Sequence, residues 1–413
     1  MQDITSNPDQ YFLTAEYFAN PYLFFRAAHE AGIKIFWSMK INAWIVLSYD
    51  EVGAGLASPD FNSAQRIEKA VQHFSTQEQA NSHLAIDVLE NWIVFQDPPN
   101  HTRLRKLVNK SFTPRTIAAL RPQIEKLVDD LLKETFENPG DSVNFVDRIS
   151  FMIPSMVICA LLGIPLERQH DLRRWSDAIA GLSAAAQASE TDIRLANEAV
   201  VEAEQYLLGL FDHIRSNPNE TLLSKLLTPE GDGDQLSDLE LVAMTVQLFF
   251  AGFETTEGLM GNLLLALLNH PQSLEELVDD PNLLSGAIEE CLRFDSSIIK
   301  QSRVASKDVQ VGPEFIKAGD YVHFMIAAAN WDPKKFEKPD VFDIKRTEND
   351  HLTFGHGIHF CIGAPMARLE TEILFSRLLP RLKEISILEN QIQYPGLLAI
   401  RKPKALHVNA PRF

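Results

Sequence analysis

Residues 354–363 read Phe-Gly-His-Gly-Ile-His-Phe-Cys-Ile-Gly, and an apolar, helix-favouring run follows from Ala364. The closely spaced glycines predict a tight loop that delivers Cys361 to the start of a helix. Backbone N–H groups and the positive end of a helix dipole favour the thiolate form of a cysteine placed there. A thiolate held in this way suits an axial ligand of haem iron. For a lone cysteine, the commoner alternative is a buried structural residue in a turn.

The same stretch has a family pattern. A dinucleotide-binding loop does not fit, because the third glycine of G-x-G-x-x-G would fall at Phe360. Every fixed position of F-G-x-G-x-H-x-C-x-G is matched, and the chain resembles the soluble bacterial cytochrome P450 haem-thiolate monooxygenases from about Asp97 to Arg368. The resemblance implies a haem b cofactor (iron protoporphyrin IX) with Cys361 as its iron ligand and His359 on a propionate. The loop residues expected at the cofactor are Phe354, Gly355, His359, Cys361 and Gly363.

Composition limits the function classes. The chain has 413 residues, 45% hydrophobic and 23% charged, which is ordinary for a globular protein. Lys and Arg total 38 against 56 Asp and Glu, and the net charge of −18 argues against binding nucleic acid or an anionic membrane. Three widely spaced cysteines make no disulfide framework, and Cys159 and Cys291 read as core residues. No signal peptide is visible, so we expect a cytoplasmic protein.

The hydrophobic pattern predicts a mainly α fold with small β-sheets. Alternation around Asn42 indicates a hairpin inside a β-rich N-terminal portion at about 30–60. A helical period runs from about Leu104 to Leu268, and a last helix begins near Pro365. No linker or repeat divides the chain, so we expect a single domain over residues 1–413. The resemblance implies the P450 fold, with a long central helix over a buried haem.

The segment 241–268 is apolar and long enough to cross a membrane. Glu254 and Glu257 interrupt it, however, and an acidic residue at a bilayer centre costs about 2.5–3.5 kcal/mol. A buried helix without membrane insertion is therefore the better interpretation. Ser237 followed by Glu240 is the pattern of a capping box that opens this helix.

The middle of this helix carries a second chemical pattern. Ala251 and Gly252 have almost no side chain and allow close approach to a flat cofactor. Thr255 can bond back to a carbonyl one turn earlier, which loosens the helix, and Glu254 can bring protons from solvent. The pair resembles the acid and alcohol with which P450 enzymes protonate bound oxygen. The alternative is a small-residue helix contact with a tolerated polar pair.

A basic segment follows Asp97. On a helix His101 and Arg105 share one face, and the resemblance assigns both to haem propionates. A second set of cations falls on roughly the opposite face and either attracts an acidic electron carrier or is simply solvated: Arg103, Lys106 and Lys110.

Further fold residues follow from the resemblance. Glu290 and Arg293 form E-x-x-R, which in this family is buried and joined by a later arginine, here Arg346. Arg303 matches the strand arginine that reaches a propionate. One departure is Asp295-Ser296-Ser297, where the family often has a proline, so the pocket near this segment is less defined.

Substrate residues are less evident. If Thr255 faces the iron, Gln247 lies about 12 Å along the same helix face and is a candidate anchor for a polar group. Its alternative role is a bond to nearby backbone or water. Family position adds apolar wall candidates and suggests a lipophilic guest: Phe250, Ile298, Ile299, Leu398 and the segment 83–94.

These patterns predict an O2-dependent monooxygenase that hydroxylates or epoxidises a lipophilic small molecule. Electrons would come from NAD(P)H through a separate ferredoxin-type donor, since no second cysteine cluster is present. Two alternatives remain. One is the same scaffold doing peroxide-driven oxidation, phenol coupling or dehydrogenation. The other is a non-enzymatic haem sensor, which leaves Glu254 and Thr255 without a role.

Overall fold

The computed structural model of the chain describes residues 4–71, 76–110, 112–138, 141–183, 189–228 and 235–409. Its contacts divide into two compact units, each built from separate stretches of sequence. Unit 1 comprises Met1–Phe61, Ala118–Pro154 and Glu254–Phe413, and unit 2 comprises Asn62–Ile117 and Ser155–Phe253. The single domain expected over the whole chain stays a prediction.

Helices dominate the described residues, which confirms the mainly α fold. In chain order the α-helices are α1 (Ala15–Ala19), α2 (Pro21–Glu30), α3 (Tyr49–Ala57), α4 (Gln65–Val71), α5 (Thr76–Glu90), α6 (Asn100–Asn109), α7 (Pro114–Thr135), α8 (Met152–Leu162), α9 (Gln169–Ser183), α10 (Glu190–Ser216), α11 (Leu222–Leu227), α12 (Asp238–Asn269), α13 (Pro271–Asp279), α14 (Leu284–Phe294), α15 (Ile326–Ala329) and α16 (Ala364–Leu378). Short 3-10 turns occupy Pro8–Gln10, Ile93–Phe95, Leu166–Arg168, Pro281–Leu283, Gly357–His359 and Leu379–Glu384, and Val146–Ser150 is a π-turn.

The strands are short and form three sheets among the described residues. They are β1 (Ile35–Ser38), β2 (Ala43–Val46), β3 (Phe61–Asn62), β4 (Ser142–Asn144), β5 (Gln301–Ala305), β6 (Val309–Val311), β7 (Glu314–Ile316), β8 (Tyr321–Phe324) and β9 (His407–Asn409). The largest sheet has the order β1-β2-β8-β5-β3, and the others pair β4 with β9 and β6 with β7. Small sheets beside a helical body match the expectation.

The predicted N-terminal hairpin is confirmed. β1 and β2 pair antiparallel with Trp37 opposite Trp44, and Asn42 takes a φ of +48° in the turn between them. Asparagine tolerates this left-handed conformation better than most residues, which explains its place in the turn. β2 then pairs parallel with β8 through Trp44 and Val322. Residues 49–57, within the portion expected to be β-rich, form α3 instead.

The long helix α12 begins as the capping-box pattern predicts. The Glu240 N–H donates to Ser237 Oγ at 3.2 Å, and the Ser237 N–H donates to Glu240 Oε2 at 2.8 Å. The helix has 32 residues and is about 48 Å long. Its residues up to Phe253 belong to unit 2, and those from Glu254 belong to unit 1. The backbone stays α-helical through residues 251–256.

Each unit has its own apolar packing. In unit 1 a cluster of buried aromatic rings joins the N-terminal helices to the segment after α15, with Phe12, Tyr17, Phe24, Phe25 and Trp331 among its members. In unit 2, α10 packs against α5 and α9. Across the described part of the chain, no helix combines the length and the apolar character needed to cross a membrane.

Candidate functional site

The loop before α16 depends on two glycines in the left-handed region. Gly355 and Gly357 have φ of +76° and +72°. A Cβ at Gly357 would lie only 2.9 Å from Cα of Ala57, so any side chain at this position would clash with the backbone of α3. The Cys361 N–H donates to the Phe354 carbonyl at 2.8 Å and closes the loop. The predicted tight loop before a helix is therefore confirmed.

Cys361 differs from the other two cysteines in its surroundings. It lies two residues before the N-cap Gly363 of α16, and a Cβ on Gly363 would be 3.8 Å from the Cys361 sulfur. Cys361 is half-buried, whereas Cys159 and Cys291 are buried. Burial raises the pKa of Cys159 to about 12 and that of Cys291 well above its usual value, so both remain thiols. Their interpretation as core residues is confirmed.

Phe354 is held beside the loop by a charged group that sequence reasoning missed. The Arg368 guanidinium lies 4.5 Å from the centre of the Phe354 ring and binds Glu289 through bonds of 2.6 and 2.8 Å. His351 Nε2 is 3.2 Å from the same carboxylate. Burial raises the pKa of Glu289, but the bonds from Arg368 and His351 outweigh it and bring that pKa to about 2. Glu289 therefore stays ionised and fixes both partners.

The E-x-x-R pair is buried, and its third member is the expected one. Glu290 and Arg293 form an ion pair at 2.8 Å with neither side chain exposed. Arg346 Nε lies 3.1 Å from Glu290 Oε2, and the Asp343 N–H donates to Glu290 Oε1 at 3.0 Å. The prediction of Arg346 is confirmed. Since these groups bind one another and the backbone, they stabilise the segment that leads to the cysteine loop.

Arg303 lies on β5 and is 3% exposed. Its Nη1 donates to the Ser302 carbonyl at 2.8 Å, while Ser302 Oγ is 2.8 Å from Nδ1 of His323 on β8 and accepts from Lys300 Nζ at 2.7 Å. Several basic side chains thus surround the start of β5. The strand register sets Ser302 opposite His323, a pairing with no signal in the sequence.

On α12 the predicted small-residue face is accessible in part. Ala251 is exposed and Thr255 is half-buried, although most neighbouring residues of this helix are buried. Glu254 is buried at 6% exposure, and its Oε1 lies 3.3 Å from Lys402 Nζ. The same ammonium donates to Glu257 Oε2 at 2.9 Å. Sequence reasoning missed Lys402, because it lies more than a hundred residues from its partners and follows no spacing rule.

α6 carries the predicted cations of unit 2. His101 is buried at 2% exposure, and Arg105 is half-buried one turn later. Of the three cations predicted on the opposite face, Arg103 is not simply solvated: it forms an ion pair with Glu240 and donates from Nε to Asn100 Oδ1 at 3.1 Å. A helix wheel does not reveal a partner on another helix. Two exposed cations remain on that face, Lys106 and Lys110.

Gln247 makes the hydrogen bond to nearby backbone that was the alternative to a role as substrate anchor. Its Oε1 accepts the Ile93 N–H at 2.7 Å, and its side chain is buried. One turn along α12, the half-buried Phe250 ring lies 5.7 Å from that of Trp92. Trp92 belongs to the wall segment expected at residues 83–94, and its Nε1 has no hydrogen-bond partner among the described residues. α12 and this segment thus form one apolar surface of unit 2.

The wall candidates of unit 1 lie next to one another. The Ile299 N–H donates to the Ala399 carbonyl at 2.8 Å, and Ile298 forms a β-bridge with Ile400. Ile299 is 3% exposed and belongs to the aromatic core, whereas Ile298 and Leu398 are half-buried. The segment 295–297 lacks the proline that is common in the family. A hydrogen bond holds it instead, in which Ser296 Oγ donates to the Ile298 carbonyl at 2.7 Å.

The described residues fit an iron porphyrin in their donor chemistry. Cys361 places a sulfur at a helix start, where N–H groups and the helix dipole favour a thiolate. Arg303 is a buried guanidinium, which suits a carboxylate partner. Ala251 offers a nearly flat, exposed surface on α12. The sulfur of Cys361 and the guanidinium of Arg303, both in unit 1, suit the iron and a propionate of haem, and this donor chemistry is typical of a haem-thiolate protein.

Comparison with known proteins leads to the same class. The family model described as Cytochrome P450 matches residues 61–395. Cytochrome P450 107B1 of Saccharopolyspora erythraea is 40% identical over 352 residues, 84% of this chain and 83% of that protein. Polyketide biosynthesis cytochrome P450 PksS of Bacillus subtilis is 37% identical over 374 residues, 89% of each.

A solved structure agrees. P450BioI, in complex with an acyl carrier protein ligated to hexadec-9Z-enoic acid, is similar with a TM-score of 0.87 and 32% identity over 96% of this chain and 100% of that one. The chain belongs to the cytochrome P450 family, which confirms the resemblance found in its motifs. It is an enzyme of the monooxygenase class, and membership of the family implies haem.

Proposed function

We propose that this chain inserts one oxygen atom from O2 into a lipophilic small molecule by hydroxylation or epoxidation, with electrons from NAD(P)H through a separate ferredoxin-type donor. The observation that carries the proposal is Cys361, whose sulfur lies against Gly363 at the start of α16. When bound, the haem supplies the redox chemistry that activates O2, and electron donation from the thiolate favours O–O cleavage.

The residues that would hold the cofactor divide by role. Cys361 binds the iron through sulfur, and Phe354, Gly355 and Gly363 keep the loop narrow around it. Buried Arg303 and the half-buried His359 bind propionate oxygens, with charge-assisted bonds from the guanidinium. The family pattern assigns the same task to the cations of α6, His101 and Arg105.

Glu254 and Thr255 would handle protons. Thr255 is half-buried, and its hydroxyl both donates and accepts hydrogen bonds, so Oγ1 can receive a proton and pass it on. Glu254 is the residue immediately before Thr255 on α12 and supplies the proton that Thr255 passes on. Ala251 lies one turn before Thr255 and, with almost no side chain, leaves space for the ring face and O2.

An apolar, acyl-like guest has the most support. The relative PksS is named for polyketide biosynthesis, and P450BioI was solved with a fatty acyl group on its carrier protein. The half-buried apolar side chains of Ile298 and Leu398, next to the buried Ile299, suit such a guest, and the half-buried Phe250 of unit 2 is a separate apolar candidate. Gln247 keeps its amide N–H groups for a polar substituent, because Ile93 occupies its oxygen.

The electron donor would be an acidic ferredoxin. Lys106 on α6 and Lys110 directly after its last residue are exposed and offer positive charge on a chain whose net charge is −18. Steering by such charges depends on ionic strength, so reduction by the donor should slow as salt rises.

Reduction under carbon monoxide tests the ligand. The parent should show the far-shifted Soret absorbance of thiolate coordination, and Cys361→Ala should lose it. Parent protein without that band would contradict the proposal.

Turnover with NAD(P)H and surrogate ferredoxins tests the reaction. Product formation that falls in Thr255→Ala supports the monooxygenase. Full turnover with peroxide alone, unaffected by Thr255→Ala with O2, would instead favour peroxide-driven oxidation. A sensor would give no product with any guest.

A further inference from the structure

One face of α12 forms a seam for the C-terminal segment at residues 401–403, all within unit 1. The seam residues recur at positions i, i+3, i+4, i+7 and i+8, which share one side of a helix. They are Glu254, Glu257, Gly258, Gly261 and Asn262. The acid assigned to proton delivery is thus the first member of a packed interface.

Small residues let the segment approach the helix closely. A Cβ on Gly258 would lie 3.3 Å from Lys402 Cβ, and one on Gly261 would lie 3.1 Å from Pro403 Cγ. Asn262 Nδ2 donates to the Arg401 carbonyl at 3.2 Å. Arg401 and Pro403, the residues before and after Lys402, both contact α12, so the backbone of Lys402 is held against the helix.

The Lys402 side chain joins both glutamates of the seam. Its Nζ lies 2.9 Å from Glu257 Oε2 and 3.3 Å from Glu254 Oε1. The three side chains are 12%, 1% and 8% exposed for Lys402, Glu257 and Glu254. The neighbouring Arg401 does not share this task, since it binds Asp295 at 2.8 Å.

We propose that Lys402 is a positioning residue for proton delivery: its ammonium holds the Glu254 carboxyl in place beside Thr255. The inference rests on the proposed function, which makes Glu254 the acid. Glutamate has three rotatable side-chain bonds, and the contact of Oε1 with Nζ limits them. The second carboxyl oxygen is then presented for proton exchange in one orientation.

Glu257 gives the cluster its asymmetry. Glu257 is more buried than Glu254 and closer to the Lys402 ammonium, so its ion pair with Lys402 is the stronger of the two. Glu254 is held more weakly and can exchange its proton without breaking the contact between Lys402 and the helix. Without the ammonium, the two carboxyl groups lie buried on one face of α12 and lose the cation that they share.

The test uses the haem-loaded enzyme with a guest that the parent converts. Lys402→Met should lower the product formed per NAD(P)H by about threefold or more, release more peroxide and raise the solvent deuterium isotope effect. Lys402→Arg keeps a cation and should restore most of the coupling. Haem content, the CO-bound absorbance and guest affinity should match those of the parent. Lys345→Met removes an exposed 2.9 Å ion pair with Glu276 and serves as the matched control.

A second readout does not depend on turnover. Urea unfolding of Lys402→Met, Glu254→Gln and the double variant should be non-additive, because both single changes break the same contact. If Lys402→Met does not fold, Lys402→Gln removes the charge with less disturbance, and the same loss of coupling is expected. Parent-like coupling together with additive unfolding would overturn the proposal. A failure of the proposed function would differ, since the parent itself would then form no product.

Discussion

Glu290 and Arg293 lie three residues apart on α14 and are joined by two N–H···O bonds of 2.9 and 2.8 Å, with neither side chain exposed. The remaining donors of the guanidinium reach backbone carbonyls of a distant segment, those of Asn330, Pro339 and Val341. One side chain therefore replaces a set of regular backbone hydrogen bonds across a segment that has little secondary structure of its own.

Removal of that guanidinium should be costly. Arg293→Met leaves the Glu290 carboxylate buried without its main partner and the Asn330 and Pro339 carbonyls without the donor that Arg293 supplies, so we expect a loss of about 3–5 kcal/mol in the free energy of unfolding. Urea denaturation followed by circular dichroism measures it. Arg194→Met breaks an exposed helical pair with Glu198 and should change stability by about 0.5 kcal/mol or less. Equal losses in the two variants would contradict this account.

The two left-handed glycines of the cysteine loop offer a matched comparison. Gly355→Ala costs only the strain of its φ of +76°, about 1–2 kcal/mol, because the new Cβ would lie 3.7 Å from the His359 carbonyl oxygen, an ordinary van der Waals contact. Gly357→Ala adds a clash with Cα of Ala57 at 2.9 Å and should be the more damaging change. Thermal unfolding and haem retention on a sizing column measure both. Similar values for the two variants would show that the backbone yields at Ala57.

Acid should weaken the contact that supports Phe354. The pKa of Glu289 lies at about 2 against a model-peptide value of 4.5, because the bonds from Arg368 and His351 outweigh the effect of burial. A lowered carboxyl pKa stabilises the fold above the unfolded value, and the gain is lost as the pH falls from 4.5 towards 2. Solvent screening leaves about 1–2 kcal/mol of this gain.

The variant Glu289→Gln measures that contribution. It should be less stable than the parent at neutral pH, and the difference in unfolding free energy should shrink as the pH approaches 2. Chemical unfolding at a series of pH values gives the two curves. A difference that stays constant across the series would mean that the charge of Glu289 does not contribute.

Gln247 should contribute to stability whatever its role towards a guest. In Gln247→Leu the Ile93 N–H loses its 2.7 Å acceptor inside the protein, which costs about 1–3 kcal/mol. Spectral titration then separates the second role. If the amide N–H groups contact substrate, a polar guest should lose more affinity than an apolar guest of the same size. Equal losses for both guests would leave only the structural bond to Ile93.

Local patterns predicted the elements well. The alternation around Asn42, the capping box at Ser237 and the glycines before Cys361 each depend on neighbours within a few residues, and each formed as expected. Arg346 was also found, but through the family motif, because no spacing rule links it to Glu290.

Contacts distant in sequence were the ones missed. Lys402 meets Glu254 and Glu257 only because β-bridges and glycines fix the C-terminal segment on α12. Arg103 was expected to face solvent and instead meets Glu240, because a helix wheel records which side a residue is on but not which helix lies there. Buried charges find partners through tertiary packing, which periodicity does not encode.

The assembly of β2 with β8 affects how the chain is made. Trp44 pairs with Val322, so the ribosome must add on the order of 280 residues before the first strand of this contact meets the second. At bacterial elongation rates that interval is roughly 15–55 s. During it the nascent hairpin presents an open strand edge and the aromatic side chains of α2, a surface that invites chaperone binding or aggregation. Ribosome profiling combined with chaperone capture should detect engagement after β2 emerges and release once β8 has left the exit tunnel.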